Sequence, residues 1–264
     1  MHKLNLFLYF YLVILASCKP VVEPKVSISP IHEVATTDTF GLNYIMGKFE
    51  PAKHPDFVTI PSKYRDETVR YLHRDVMNKF AEMADAAAEE GVRLVIRSAT
   101  RNFESQKQIW EKKWMGLTIL EDGSKASDIK DEFLRAKKIL LYSSMPGTSR
   151  HHWGTDVDIN AFENSWFAKG EGARLYAWME SNASKYGFCQ VYGPISSNRK
   201  HGYEEEKWHW SYLPIAQRLQ EEAAMKMKNE MITGFEGSHE ASVIDMVKVY
   251  MLSVDPGCIN ANFK

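Results

Sequence analysis

The sequence has few cysteines, almost no net charge and no long apolar run after its first residues. Its 264 residues include three cysteines, and its formal net charge is -1 at pH 7. A chain with so balanced a charge gives no electrostatic reason to bind nucleic acid. Cys189 and Cys258 lie too far apart in the chain to form a zinc knuckle. A Gly-x-Ser-x-Gly sequence is missing and no cysteine stands out as a nucleophile, so nothing indicates serine, cysteine or aspartate chemistry.

The remaining composition is that of an ordinary globular protein with one sizeable core plus tails. Hydrophobic residues make up 44% of the chain and charged residues 25%. Apolar residues at helical spacing predict helices over 66–90, 103–115, 128–142, 173–186, 214–230 and 241–252. Short β-rich runs predict strands over 92–97, 155–161, 188–192 and 207–212, and a further short strand within 40–49.

Residues 1–18 are predicted to be a secretory signal that is not part of the fold. A short basic start precedes an apolar run from residue 4 to 16, which is too short for a comfortable membrane span. The run ends in Leu-Ala-Ser-Cys, which resembles a bacterial lipoprotein cleavage box. We therefore expect lipid chains on Cys18 that anchor the exported protein to a membrane surface. An ordinary signal peptide with an incidental cysteine is the alternative.

The rest of the chain divides into three predicted parts. Residues 19–60 read as a tether and an irregular N-terminal arm, because prolines punctuate them and helical periodicity is absent. Residues 61–230 are predicted to form the main domain, and residues 231–264 a C-terminal helical extension. In an exported protein Cys189 and Cys258 could pair as a disulfide, and the sequence leaves this open.

Residue types that bind metals occur in two separated segments. The segments are Ser149-x-His151-x-x-Gly154-x-x-x-Asp158 and Glu206-x-Trp208-His209. Two imidazoles and one carboxylate are the right number and type of ligands for a catalytic zinc with an open fourth position. A glutamate beside such a site can take a proton from the metal-bound water.

These segments resemble the zinc D,D-peptidases of bacterial cell walls. That group includes D-alanyl-D-alanine carboxypeptidases of the vancomycin-resistance type, within the lysostaphin / D-Ala-D-Ala carboxypeptidase / hedgehog group. By the order of its motifs the resemblance covers roughly residues 60 to 225, with one departure: the family usually has a small residue, often Ala, where this chain has Asp156. Together with the predicted elements, the resemblance implies an α+β fold in which a small antiparallel sheet carries the zinc site and helices flank it.

The resemblance implies that His151, Asp158 and His209 bind Zn²⁺. Spacing alone does not choose between His151 and its neighbour His152, and the family pattern favours His151. His152 is then a loop residue or a neighbour of the ligands. Asp156 is expected on the same side of its strand as Asp158, where it either hydrogen-bonds a ligating histidine or meets solvent.

Glu206 is the predicted general base. It ends a run of three glutamates, and charge runs are usually solvated. Only its register with His209 distinguishes it, so Glu205 remains the alternative.

A third block resembles the family's substrate-binding residues. Residues 98–106 read Ser-Ala-Thr-Arg-x-x-x-x-Gln and are similar to the family's Ser-Gly-Tyr-Arg-Ser-x-x-x-Gln. The match implies that Arg101 stabilises an oxyanion or binds the substrate carboxylate, a group that a guanidinium binds at two points. It also implies that Gln106 and, in the metal segment, Ser149 contact the substrate.

The resemblance therefore implies an exported zinc peptidase that hydrolyses D-Ala-containing peptidoglycan stem peptides. A D-alanyl-D-alanine carboxypeptidase is the first expectation, and a peptidoglycan endopeptidase of the same mechanism is the second. A non-catalytic zinc-containing module that binds wall peptides is the third. The expected location is the bacterial cell envelope, on the cell surface or facing the periplasm, with the membrane reached through the lipid on Cys18.

Overall fold

The computed structural model describes residues 40–196 and 198–259. The predicted signal, the lipidation site Cys18 and the first part of the tether lie outside these residues. The described residues all belong to one compact unit. None of their helices is long and apolar enough to cross a bilayer.

Within the described residues, six short strands form two antiparallel sheets. They are β1 (Phe57–Thr59), β2 (Tyr71–His73), β3 (Ile96–Ser98), β4 (Asp156–Ile159), β5 (Phe188–Cys189) and β6 (His209–Tyr212). Strands β1 and β2 pair with each other, and the larger sheet has the spatial order β3-β4-β6-β5. In the larger sheet Asp158 of β4 lies directly opposite His209 of β6. Side chains of directly opposed residues share one face of the sheet, so this register brings the two metal segments together.

Helices surround the sheets. They are α1 (Leu42–Ile45), α2 (Arg74–Glu89), α3 (Phe103–Trp114), α4 (Glu132–Ile139), α5 (Gly170–Asn182), α6 (Leu213–Lys226), α7 (Glu240–Ile244) and α8 (Pro256–Ile259). With a small antiparallel sheet flanked by helices, the predicted α+β class is confirmed.

One apolar cluster packs α2 and α5 against one face of the larger sheet. Val157 and Ile159 of β4 are fully buried in this cluster, together with Phe80 of α2. Because successive side chains of a strand alternate between its faces, Asp156 and Asp158 project from the other face. The apolar residues of β4 therefore determine where its two carboxylates point.

A second apolar cluster joins α1, α3, α4, α6 and α7. Trp110 of α3, Ile139 of α4 and Leu219 of α6 are fully buried in it, as are Ile45 near the start and Met251 near the end of the described chain. The arm before residue 61 and the segment after residue 230 therefore contribute to the same core as the middle of the chain.

Two predicted elements differ at the N-terminal side. The strand predicted within residues 40–49 is wrong, because Leu42–Ile45 form the helix α1. The helix predicted to begin at residue 66 begins at Arg74, since Tyr71–His73 pair with β1 as strand β2. His73 then caps α2, with its ring accepting a hydrogen bond from the backbone N–H of Asp75 at 3.3 Å.

The helix predicted over 241–252 is interrupted. Helix α7 ends where Asp245 adopts a left-handed conformation with φ 57°. A π-helical turn, Val247–Met251, continues the chain. Disulfide-bonded Cys258 in α8 then attaches this C-terminal segment to Cys189 of β5.

Candidate metal centre

His151, Asp158 and His209 each bring one potential ligand atom to within 4.8 Å of the others. Nε2 of His151 lies 3.2 Å from Oδ2 of Asp158, and Nδ1 of His209 lies 3.0 Å from Oδ1 of Asp158. The exposed fractions are 3% for His151, 4% for Asp158 and 2% for His209. The structure thus joins the three predicted ligands in one buried group.

A tight turn before β4 positions His151. The 3₁₀ turn Arg150–Trp153 contains it and ends at Gly154, which has φ 72°. A Cβ atom at Gly154 would lie 2.4 Å from Cε1 of Phe57, so the position needs glycine both for its backbone and for the space beside it. The turn directs the chain from His151 into the strand that carries Asp158.

Hydrogen bonds to the distal ring nitrogens orient the two histidines. Nδ1 of His151 lies 2.9 Å from the backbone oxygen of Ala99, which leaves Nε2 facing Asp158. Nε2 of His209 lies 2.8 Å from Oδ2 of Asp156, which leaves Nδ1 facing Asp158. Such partners fix the tautomer and the direction of a ligating imidazole.

Asp156 is fully buried and does not meet solvent. Besides His209, its carboxylate accepts hydrogen bonds from Arg150 Nε at 3.0 Å, Thr155 Oγ1 at 2.6 Å and Ser211 Oγ at 2.8 Å. Burial disfavours its charge, but Arg150 and His209 together hold the pKa of Asp156 below its usual value. It is therefore an anion that holds His209 in place.

The geometry of Asp158 fits a bound cation. Its Oδ1 is buried without a hydrogen-bond partner among the described residues, although Nδ1 of His209 is only 3.0 Å away. Ligands about 2.0–2.2 Å from a tetrahedral zinc stand roughly 3.3–3.6 Å apart. The measured separations of 3.0 and 3.2 Å are close to this range. Two imidazoles and one carboxylate are also a donor set that suits zinc.

The pKa values of the two histidines also fit a bound cation. Burial opposes a charge on His209, but its contacts with Asp156 and Asp158 raise the pKa of the ring to about 10. Burial, with Arg101 nearby, lowers the pKa of His151. The carboxylates thus favour a positive charge beside His209, which a proton or a metal cation can supply in competition.

Glu206 lies beside the three predicted ligands. Its Oε2 is 3.4 Å from Nδ1 of His209, and the residue is 5% exposed in the wall of the same cleft. A hydrogen bond from its backbone N–H to the oxygen of Tyr192 fixes the turn before β6. Burial raises the pKa of Glu206 to about 8. Glu205 does not line the cleft, so the geometry favours Glu206 over the alternative.

Arg101 reaches the centre from the loop after β3. Its Nη1 donates to Oγ of Ser98 at 2.8 Å and lies 3.8 Å from Oδ2 of Asp158. Its backbone N–H donates to the oxygen of His151 at 3.2 Å. These contacts place the guanidinium against the ligand group, and its buried Nε has no hydrogen-bond partner in the described part of the chain.

Gln106 and Ser149 line the same cleft of about 220 Å³. Each is 1% exposed, and Nε2 of Gln106 donates to the oxygen of Ser144 at 2.8 Å. Oε1 of Gln106 and Oγ of Ser149 are buried, and neither has a hydrogen-bond partner among residues 40–196 and 198–259. Unpaired buried polar atoms are costly, so both are suited to meet a polar ligand.

His152 points away from the ligand group. Its Nδ1 lies 2.6 Å from the oxygen of Arg101, and its Nε2 accepts from the N–H of Gly147 at 3.0 Å. Burial lowers its pKa to about 3, so the ring is neutral. It joins the Arg101 loop to the turn before the metal segment.

Sequence reasoning missed Arg150 and Tyr192. Arg150 supports Asp156, and the ring of Tyr192 stands 4.6 Å from that of His209. The adjacency of Arg150 to His151 was a usable signal for the first. Tyr192 lies just after β5, the strand that pairs with β6, and no local sequence pattern marks it.

Comparisons with known proteins identify the family of the chain. The family model described as VanY: D-alanyl-D-alanine carboxypeptidase matches residues 69–215. A D-alanyl-D-alanine carboxypeptidase of Enterococcus faecalis is 29% identical over 149 residues, which are 56% of this chain and 48% of that protein. A putative carboxypeptidase, YodJ, of Bacillus subtilis is 31% identical over 147 residues, or 54% of this chain and 47% of that protein. The chain thus spans about half the length of these curated relatives.

Solved structures include similar chains. A vancomycin-resistance D,D-pentapeptidase, VanY, in complex with Zn(II) has 25% identity and a TM-score of 0.45, covering 62% of this chain and 88% of that one. The LD-carboxypeptidase LdcB has 23% identity and a TM-score of 0.48, covering 78% of each chain. Since the family model matches more than half of the chain, the protein belongs to the VanY family of D-alanyl-D-alanine carboxypeptidases.

Proposed function

We propose that the protein is an exported zinc peptidase that hydrolyses D-Ala-containing peptidoglycan stem peptides, acting as a D-alanyl-D-alanine carboxypeptidase. The observation that carries the proposal is the buried group of His151, Asp158 and His209, with Glu206 3.4 Å from His209 in the same cleft. The family and its curated relatives support the substrate class.

The metal would be held by His151 Nε2, His209 Nδ1 and the carboxylate of Asp158. Zinc at such a site polarises a carbonyl and lowers the pKa of a bound water toward neutrality. Glu206 accepts the proton of the attacking water and passes it to the leaving amine of D-alanine. Burial raises the pKa of Glu206 to about 8, and a cation beside it lowers that value, so the carboxylate is suited to exchange protons near neutral pH.

Three further side chains would bind the substrate. The guanidinium of Arg101, 3.8 Å from Asp158, is placed to stabilise the oxygen on which negative charge develops or to bind the terminal carboxylate. Ser149 Oγ and Gln106 form hydrogen bonds with the terminal residue, because both lie in the cleft with unpaired polar atoms.

Export and anchoring belong to the same proposal. Residues 1–18 act as the signal, and lipid on Cys18 holds the protein at a membrane of the cell envelope. The disulfide between Cys189 and Cys258 supports export, because such bonds persist in oxidising compartments. Residues 61–230 then supply the metal centre, while the described part of the C-terminal extension, residues 231–259, packs in the second apolar cluster.

The test is mass spectrometry of peptides incubated with the zinc-loaded protein beginning at Lys19. Stem pentapeptide and cross-linked muropeptide dimers are offered separately. Loss of the terminal D-Ala from the pentapeptide is expected. Splitting of dimers alone would make the protein an endopeptidase. Unchanged peptides with one zinc per chain would contradict hydrolysis and favour a binding module.

A further inference from the structure

Glu206 is the third of three successive glutamates, and it is the one that the structure turns into the metal cleft. Glu204 is exposed and Glu205 is half-buried, whereas Glu206 is 5% exposed in the cleft wall. Burying a carboxylate is costly, so other contacts must hold this glutamate in its inward position.

Hydrogen bonds fix the two peptide groups on either side of Glu206. Its own N–H donates to the backbone oxygen of Tyr192 at 2.9 Å. Its own backbone oxygen accepts from Nε2 of Gln190 at 3.3 Å. The remaining polar groups of these two peptides are the backbone oxygen of Glu205 and the N–H of Lys207.

Both of these remaining groups bind the side chain of Asn164. Its Nδ2 donates to the oxygen of Glu205 at 2.8 Å, and its Oδ1 accepts from the N–H of Lys207 at 3.1 Å. A carbonyl oxygen only accepts and an N–H only donates, so these partners also fix which way the amide group is turned. One side chain therefore holds the backbone immediately before and immediately after Glu206.

Asn164 is itself fixed in the loop after β4, the strand that carries Asp158. Its backbone oxygen accepts from the N–H of Phe167 at 3.1 Å, and Phe167 is 2% exposed in the apolar cluster of the larger sheet. A Cβ atom on Gly172 of α5 would lie 2.0 Å from the oxygen of Trp166, so α5 packs directly against this loop. The amide of Asn164 thus connects the strand of one predicted ligand to the loop of the proposed base.

The carboxylate of Glu206 depends on this backbone for its direction. Its Oε2 lies 3.4 Å from Nδ1 of His209, the atom that is proposed to bind the metal. A nitrogen that binds a metal has no proton to donate to Glu206. The hydrogen bonds of residues 205–207 then remain to orient the side chain.

We propose that Asn164 is a positioning residue for the general base. Its two hydrogen bonds set the backbone of Glu206 and thereby direct the carboxylate at the predicted ligands. Asn164 is not among the residues that line the metal cleft, so it acts through Glu206. Misplacing a reacting group by about 1 Å can lower a rate about 100-fold. The inference rests on the proposed function for the role of Glu206.

The first measurement is amide hydrogen exchange in the zinc-loaded protein, which does not depend on cleavage. Asn164→Ala removes the acceptor of the Lys207 N–H, and we expect this amide to exchange about tenfold faster. Asn182→Ala, at the C-terminal end of α5, is the matched control, since it removes a hydrogen bond to Trp178 and should leave the exchange of Lys207 unchanged. Unchanged exchange of Lys207 in Asn164→Ala would overturn the inference.

The second measurement is a double-mutant cycle on the release of D-Ala from stem pentapeptide. We expect Asn164→Ala to lower kcat about tenfold and to leave KM and the zinc content unchanged, because only the direction of the base changes. In the Glu206→Gln background the same change should have no further effect. An equal loss of kcat in both backgrounds would indicate a merely structural role and overturn the inference.

A second variant covers the case in which Asn164→Ala does not fold. The hydroxyl of Asn164→Ser is too short to reach both backbone groups, so the same increase in Lys207 exchange and the same loss of kcat are expected. If this variant exchanges and cleaves like the unmutated protein, the inference is wrong.

The two measurements separate this inference from the proposed function. If the unmutated protein cleaves no peptide, the hydrolytic function fails, and the exchange of Lys207 still decides whether Asn164 holds this backbone. If Glu206→Gln abolishes cleavage and Asn164→Ala cleaves as fast as the unmutated protein, the positioning role fails and the hydrolytic function stands.

Discussion

At the scale of the residue, Asp156 connects the predicted ligand His209 to the side chains behind it. It links the ring of His209 to Arg150 and Ser211 in a fully buried network. The family pattern has a small residue at this position, so this chain places an additional anion behind one of its predicted ligands. The expected effect is a more basic and more firmly oriented His209.

Asp156→Asn is therefore expected to weaken zinc binding about 10- to 100-fold, a typical cost of removing a ligand's hydrogen-bond partner. Competition with a chelator measures the affinity, and circular dichroism checks that the variant, which leaves Arg150 without its ion-pair partner, stays folded. Ser211→Ala is the control, because it removes one hydrogen bond to Asp156 and keeps the carboxylate. Unchanged zinc affinity in folded Asp156→Asn would contradict this role.

Gly154 offers a second test at the scale of the residue. Both Gly154 and Gly91 have a positive φ, which is 74° at Gly91. A Cβ atom at position 154 would also contact Phe57, whereas one at position 91 would lie in open space. We expect Gly91→Ala to lower the free energy of unfolding by about 1 kcal/mol and Gly154→Ala by about 2 kcal/mol more. Urea unfolding measures both. Equal losses would show that the contact with Phe57 does not matter.

The predicted ligands could be found from the sequence because they lie in two short motifs with a fixed order. The contacts that support these ligands could not be predicted from the sequence. The hydrogen bond from His151 to Ala99 and the ring contact of Tyr192 join residues far apart in the chain, and no spacing rule connects them. The position of His152 also could not be read from the sequence, since only the structure shows that its ring contacts the oxygen of Arg101 and the N–H of Gly147.

At the scale of elements, the sequence predicted α3 well because its apolar face and its cap are both local. Asn102 caps the helix by accepting from the N–H of Ser105 at 2.9 Å. Strand β2 was hidden inside a predicted helix, because its pairing with β1 depends on residues 12 or more positions earlier. Helical periodicity reports one helix face and carries no information on such pairing.

The C-terminal segment is attached to the sheet by the disulfide between Cys189 and Cys258, which closes a loop with a sequence separation of 69. Cys258→Ser is expected to lower the free energy of unfolding by about 4 kcal/mol, since the cross-link restricts the unfolded chain. Urea unfolding with and without reductant measures this. Reductant should destabilise the unmutated protein and leave the variant unchanged. If the variant and the unmutated protein were equally stable without reductant, the expectation would be contradicted.

At the scale of the whole molecule, the metal centre lies where the two apolar clusters meet. Several buried carboxylates lie close together there. Asp156, Asp158 and Glu206 are all 5% exposed or less. A cation that binds only the folded state relieves their mutual repulsion and stabilises the fold by mass action.

We therefore expect zinc at about 1,000 times its dissociation constant to stabilise the metal-free protein by about 4 kcal/mol. Thermal unfolding with and without zinc measures the shift. Asp158→Asn, which removes one predicted ligand, should abolish the stabilisation. A shift of the same size in this variant would show that zinc binds elsewhere.

The central claim is that Glu206 moves protons at a zinc ion held by His151, Asp158 and His209. Its most direct test is the kcat/KM for release of D-Ala from stem pentapeptide by Glu206→Gln, with zinc counted per chain. We expect one bound zinc and a loss of about 10²- to 10⁴-fold in kcat/KM, because the shape of the side chain is kept and its basicity is lost. A variant that binds zinc and cleaves as fast as the unmutated protein would contradict it.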